Sequence, residues 1–143
     1  MAAAIALAHD NNFLLTTLLT GTKTILKAQN ESRIESILQW IDKDRDKFYF
    51  YKGDDSQLKT QVKQLDRDLR SGKYKTMIVA IILKETKHIN DLTTKFQEFN
   101  LNEKNFGSII LDDEADQASL NTMIRKQRES PTYKLIKDLI DCH

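Results

Sequence analysis

Asp112, Asp113, Glu114 and Asp116 place four carboxylates within five positions, directly after the apolar run Ser108-Ile109-Ile110-Leu111. An apolar strand that delivers an Asp and then a Glu has the parts for phosphoryl-transfer chemistry. The first carboxylate can hold a hydrated Mg²⁺, and the second can orient or deprotonate a water attacking a terminal phosphate. Such chemistry needs adjacent carboxylates at a rigid strand end. A bare acidic cluster is more often a solvated turn, but a hydrophobic run leading straight into Asp-Glu-Ala-Asp favours the chemical reading. Asp112, Asp113 and Glu114 would also suit a nuclease-type metal site. That site needs further carboxylates or a lysine from other strands, and the sequence places none.

Polar residues end the other apolar runs too: Thr20-Gly21-Thr22-Lys23, Lys52-Gly53-Asp54-Asp55 and Lys84-Glu85-Thr86-Lys87-His88. Ligands of open parallel sheets bind at the carboxyl ends of the strands, so these groups are expected to share one edge with the acidic run. Thr20, Thr22, Lys23, Lys84 and Lys87 are candidates for contacting the phosphates of a bound nucleic-acid strand, because loop amides and helix N-termini there favour anions. Ordinary solvated lysines at loop ends are the equal alternative. His9, His88 and His143 are scattered, and Cys142 beside His143 is no credible nucleophile. A single cysteine excludes an intramolecular disulfide, and no Cys/His cluster has zinc spacing. Aromatic residues are not interleaved with basic ones as in a base-stacking platform. Trp40 and the Phe48 to Tyr51 run read as core or edge-strand packing.

The elements that must position these groups alternate along the chain. Phe13 to Leu19, Phe48 to Tyr51, Met77 to Leu83 and Phe106 to Leu111 read as strands. Three are continuous apolar runs, the pattern of parallel strands covered on both faces, and the shorter Phe48 to Tyr51 is expected nearer an edge. Helical spacing marks Ile34, Ile37, Leu38 and Ile41, then Leu58, Val62, Leu65 and Leu69, then Ile89, Leu92, Phe96 and Phe99. Asp55 or Ser56 is the expected N-cap of the second of these helices, and Gly72 its stop. Ser130 and Pro131 should open a last helix carrying Leu135, Ile136, Leu139 and Ile140. Alternating strands and helices imply an α/β layered domain with right-handed crossovers.

The 143 residues, 40% of them hydrophobic, fit one compact domain. Lys plus Arg (22) nearly cancel Asp plus Glu (21), so nucleic acid must be met by a local face and not by the overall field. Met1 to Ala8 is apolar but short, lacks a basic flank and reads as the end of a buried helix. No apolar run approaches the ~20 residues that span a bilayer. An intracellular, cytoplasmic protein without membrane contact is expected. Both ends read as cut: a helical remnant precedes the first strand, and the last helix stops without returning to the sheet.

Ile109-Ile110-Leu111-Asp112-Asp113-Glu114-Ala115-Asp116-Gln117-Ala118-Ser119, with Asn121-Thr122 after it, resembles the Walker B motif of superfamily-two helicases. It looks most like the helicase-related Z-one domain family, whose members read DDEADQAS followed by Asn-Thr. Leu14 to Arg33, including Gln29, and Met77 to Leu92 are more weakly similar to that family's neighbouring strand-helix units. The resemblance implies a RecA-like (P-loop NTPase type) three-layer α/β domain with a mostly parallel sheet, incomplete at both ends. Residues 1–143 would be one partial motor domain of an ATP hydrolase acting on DNA or RNA, partnered by a second RecA-like domain. It assigns Asp113 to Mg²⁺, Glu114 to the attacking water, and Asp116 to coupling with the nucleic-acid side.

The departures from the family are equally specific. No Gly-x-x-x-x-Gly-Lys-Ser/Thr occurs; in Gly21-Thr22-Lys23-Thr24 the lysine does not follow a glycine. The Thr-Ala-Thr-Pro or Ser-Ala-Thr element of the next strand is also missing. The Walker A loop would lie upstream and the following motif downstream. ATP and Mg²⁺ belong to the intact parent, and neither is expected to bind tightly to this chain, nor the chain to hydrolyse ATP alone. The competing expectation is a complete, non-catalytic motor fold that binds nucleic acid or a protein.

Overall fold

The computed structural model describes residues 1–21, 24–42, 47–52, 55–73, 75–100, 106–113 and 130–141, with the backbone alone for residues 24–26. Helix α1 (Ala2–Asp10) leads into β1 (Phe13–Thr20), followed by α2 (Thr24–Ile41) and β2 (Phe48–Tyr51). Then come α3 (Asp55–Arg70), β3 (Met77–Leu83), α4 (Thr86–Glu98), β4 (Gly107–Asp112) and α5 (Pro131–Asp141). The four strands form one sheet in the order β2-β3-β1-β4, and all three pairings are parallel.

Side-chain alternation sorts the strands' apolar residues onto two faces. Met77, Val79 and Ile81 of β3 pack with Ile5 and Ala8 of α1 and Ile34 and Leu38 of α2. Ile78, Ala80 and Ile82 pack with α3, α4 and α5, against Leu58, Val62, Ile89, Phe96 and Leu139. The chain crosses the sheet one way through α2 and returns through α3 and α4 on the opposite face, as a single hand of crossover requires. The result is an α/β domain of three layers.

The stop expected at Gly72 and the start expected at Ser130-Pro131 are present, whereas Asp55 and Ser56, expected to cap α3, lie inside its first turn. Gly72 has φ +68, and the amides of Gly72 and Lys73 bond the carbonyls of Leu69 and Asp68. This is the paired closure that a left-handed residue after a helix allows, and glycine adopts it without a Cβ penalty. Ser130 Oγ accepts from the Tyr133 amide at 3.3 Å, with Pro131 at the first helical position.

Three differences from the sequence reading have physical causes. First, β4 is not a covered strand. It stands at the edge of the sheet and all six of its residues are only half-buried, whereas β3 is buried throughout. Second, Trp40 is 81% exposed and belongs to neither core, because the buried stripe of α2 runs through Ile34 and Leu38 while Trp40 lies on the outer side. Third, Asp112 belongs to β4, where it pairs in register with Leu19, so the strand extends into the acidic run. At its other end, Gly107 lies opposite Phe13, and a Cβ there would sit 3.0 Å from the ring. No helix among the described residues is long and apolar enough to cross a membrane.

Candidate carboxylate site at the sheet edge

Parallel pairing carries the polar strand ends to one edge. The Lys84 amide donates to the Thr20 carbonyl at 3.0 Å, and the Asp113 amide donates to the Leu19 carbonyl at 2.8 Å. The last residues of β3, β1 and β4 are thereby locked side by side, with Thr20, Lys84 and Asp113 on a common edge.

Adjacent carboxylates on that edge have different surroundings. Alternation along β4 sends Ile110 toward the α3, α4 and α5 face and Leu111 toward the α1 and α2 face. Asp112 continues the first series, and its Oδ1 pairs with Lys84 Nζ at 2.5 Å. Asp113, just past the strand, reaches the other side, where Asn30 Nδ2 of α2 donates to its Oδ2 at 3.0 Å. Asp112 is therefore neutralised inside the fold, while Asp113 is half-buried and faces a cleft.

That cleft has a volume of about 210 Å³ and is lined by Met1, Ala2, Asn30, Arg33, Ile34 and Asp113 among others. Helix α1 begins there, with Met1 as its N-cap and no side-chain cap. Its first amides lack intrahelical acceptors, and its dipole presents positive charge at this end. An anion entering the cleft would meet amide donors and the Arg33 side chain as well as the Asp113 carboxylate.

Asp113 is the one acidic side chain among the described residues lining this cleft. Mg²⁺ keeps most of its waters and is usually held by one or two carboxylates together with substrate phosphates. Asp113 supplies one half-buried carboxylate, oriented through a single oxygen by Asn30. Among the described residues no group of three or more His, Cys, Asp or Glu side chains is placed to hold a metal. A nuclease-type site would also need a lysine from another strand, and Lys84 does converge on Asp112 from the end of β3, while Glu114 lies outside the described residues.

The expected nucleic-acid contacts are placed unevenly. Lys87 is exposed in the first turn of α4, as a phosphate contact requires. Thr20 is fully buried and donates its hydroxyl to the Ile82 carbonyl at 3.0 Å. Lys84 is 2% exposed, its ammonium turned inward to Asp112 and Asp113. Both side chains join strand ends instead of facing a bound strand, because each lies over its neighbour within the sheet. Thr22, Lys23, Glu114 and Asp116 lie outside the described residues.

Asn30 was not singled out by sequence. The available signal was its position four residues before Ile34, which puts a polar side chain in line with the buried stripe of α2. A larger cleft, of about 340 Å³, lies between α2 and α4 above the ends of β2 and β3, lined by Lys27, Tyr51, Lys52, His88, Asp91 and Lys95 among others. Its basic character is largely spent: Lys52 pairs with Glu35 and Lys95 with Asp55, each at 2.7 Å. No protein-family model, curated protein or solved structure matches the chain.

Proposed function

We propose that this chain is the Walker B part of a nucleic-acid-dependent ATPase motor of the RecA-like type, and that it does not turn over ATP alone. The observation that carries the reading is the shared cleft: Asp113, at the carboxyl edge of a parallel sheet, faces the same space as the N-terminus of α1. A segment preceding Met1 would enter beside Asp113, where a phosphate loop would be needed.

In this reading Asp113 holds Mg²⁺, directly or through water, and Asn30 keeps its carboxylate aimed into the cleft. The ion supplies neutralisation of phosphate charge. Glu114 orients the attacking water, and Asp116 couples the site to the nucleic-acid side, where Lys87, Thr22 and Lys23 are the proposed phosphate contacts. A phosphate cradle and an arginine from a second motor domain would supply the remaining electrostatic stabilisation, without which turnover is not expected.

The test is to read the gene upstream of Met1 and to assay its product. An open frame containing Gly-x-x-x-x-Gly-Lys-Ser/Thr, whose product hydrolyses ATP on addition of DNA or RNA, supports the proposal. A frame beginning at Met1, or ATP hydrolysis by the 143-residue chain that persists in Asp113→Ala, overturns it. The first of those outcomes would favour a non-catalytic binding module.

A further inference from the structure

Lys84 is tied to both acidic residues at the end of β4 although it follows β3, and β1 lies between those strands. Two strand spacings, about 10 Å, separate the backbones it connects, a gap bridged by a long side chain with a donor tip. Its Nζ pairs with Asp112 Oδ1 at 2.5 Å and donates to the Asp113 carbonyl at 2.8 Å. Its side chain is 1% exposed, and an ammonium so placed is tolerated only where close partners replace its water.

We infer that Lys84 is a positioning residue that sets the aim of the Asp113 carboxylate by holding the Asp113 peptide. Asp113 is gripped at three points: its amide by Leu19 of β1, its carbonyl by Lys84, and its carboxylate by Asn30 of α2. The first grip lies in the plane of the sheet and the third on the face covered by α1 and α2. The Lys84 grip comes from across the sheet and opposes rotation of the Asp113 peptide, which would swing the carboxylate away from Asn30. Charge balance alone would need only the Asp112 contact. The second contact, to a carbonyl that carries no net charge, is the one that bears on orientation.

The inference rests on Asp113 being the working carboxylate of the proposed function, but its test reads geometry and needs no nucleotide, so the two can fail separately. The full 143-residue chain, labelled with ¹⁵N and ¹³C, is compared by NMR with Lys84→Met and with Lys84→Met/Asp112→Asn. In the unaltered chain the Lys84 ammonium should give a signal protected from solvent exchange. In Lys84→Met the Asn30 side-chain amide should shift toward its solvated position, and the Asp113 amide should exchange about tenfold faster, as expected for loss of one charge-assisted hydrogen bond. The double variant removes the uncompensated carboxylate, so its thermal midpoint should recover while the Asn30 and Asp113 signals stay displaced. Return of both signals to their original positions in the double variant would show that Lys84 only balances charge, and would overturn the inference. An unprotected Lys84 ammonium in the unaltered chain would overturn it as well, whether or not either variant folds.

Discussion

Asn30 Nδ2 and Asp113 Oδ2 lie 3.0 Å apart, joining α2 to the end of β4 across 83 positions of sequence. Asn30→Ala should therefore destabilise the chain by about 1 kcal/mol, the usual net worth of one hydrogen bond. A double-mutant cycle with Asp113→Ala, followed by urea unfolding, should return a coupling of roughly 0.5 kcal/mol or more. Strict additivity of the two substitutions would mean that the contact contributes nothing in solution.

Two aromatic residues should respond oppositely to truncation. Phe96 is fully buried beneath α4, so Phe96→Ala should cost about 3–5 kcal/mol through lost burial and the cavity left behind. Trp40 is 81% exposed, and Trp40→Ala should stay within about 0.5 kcal/mol of the original. Chemical denaturation measures both. A large loss at Trp40 would place that ring in a packed interface.

Tyr51 should titrate late. Burial first, then the hydrogen bond its hydroxyl donates to Asp55 at 3.0 Å and the charge of that carboxylate, push its pKa well above the ordinary 10.0. A group whose folded pKa is raised holds its proton more tightly in the native state. Its contribution to stability is therefore complete below pH 10.0 and is lost progressively as the pH rises beyond that value. Absorbance titration should show a tyrosine phase well above pH 10.0, and Tyr51→Phe should abolish that late phase. Asp55→Asn should bring the phase to lower pH, and an unchanged phase in this variant would mean that Asp55 contributes nothing to the shift.

In a parent protein that carries the phosphate loop, the two neighbouring carboxylates should separate kinetically. Glu114→Gln should leave nucleotide binding nearly unchanged while slowing hydrolysis, since the proposed Glu114 role concerns the water and not the bound nucleotide. Asp113→Ala should weaken Mg²⁺-nucleotide binding, because it removes a carboxylate from the ion's surroundings. Titration calorimetry and single-turnover hydrolysis distinguish these effects. Equal loss of binding in both variants would reduce the acidic run to a solvated turn.

The sequence by itself determined the order of elements and several of their limits. Strands β2 and β3 occupy the spans marked by continuous apolar or aromatic runs, and the stops at Gly72 and Ser130-Pro131 operate as local chemistry requires. These features depend on neighbours within a few residues, through side-chain periodicity, missing Cβ atoms and unpaired amides, so they are legible in one dimension. The common edge of Thr20, Lys84 and Asp113 was also legible, because parallel strands in a layered fold must end on the same side. What only the tertiary structure decided is which polar side chain is spent internally and which remains available. The strand order puts β1 between β3 and β4, turning Lys84 from a surface lysine into a buried tie, and strand alternation gives Asp112 to Lys84 and Asp113 to Asn30. Strand order and the opposite faces of a sheet are set by contacts between distant segments, and two adjacent aspartates carry no mark in sequence of the face each will meet.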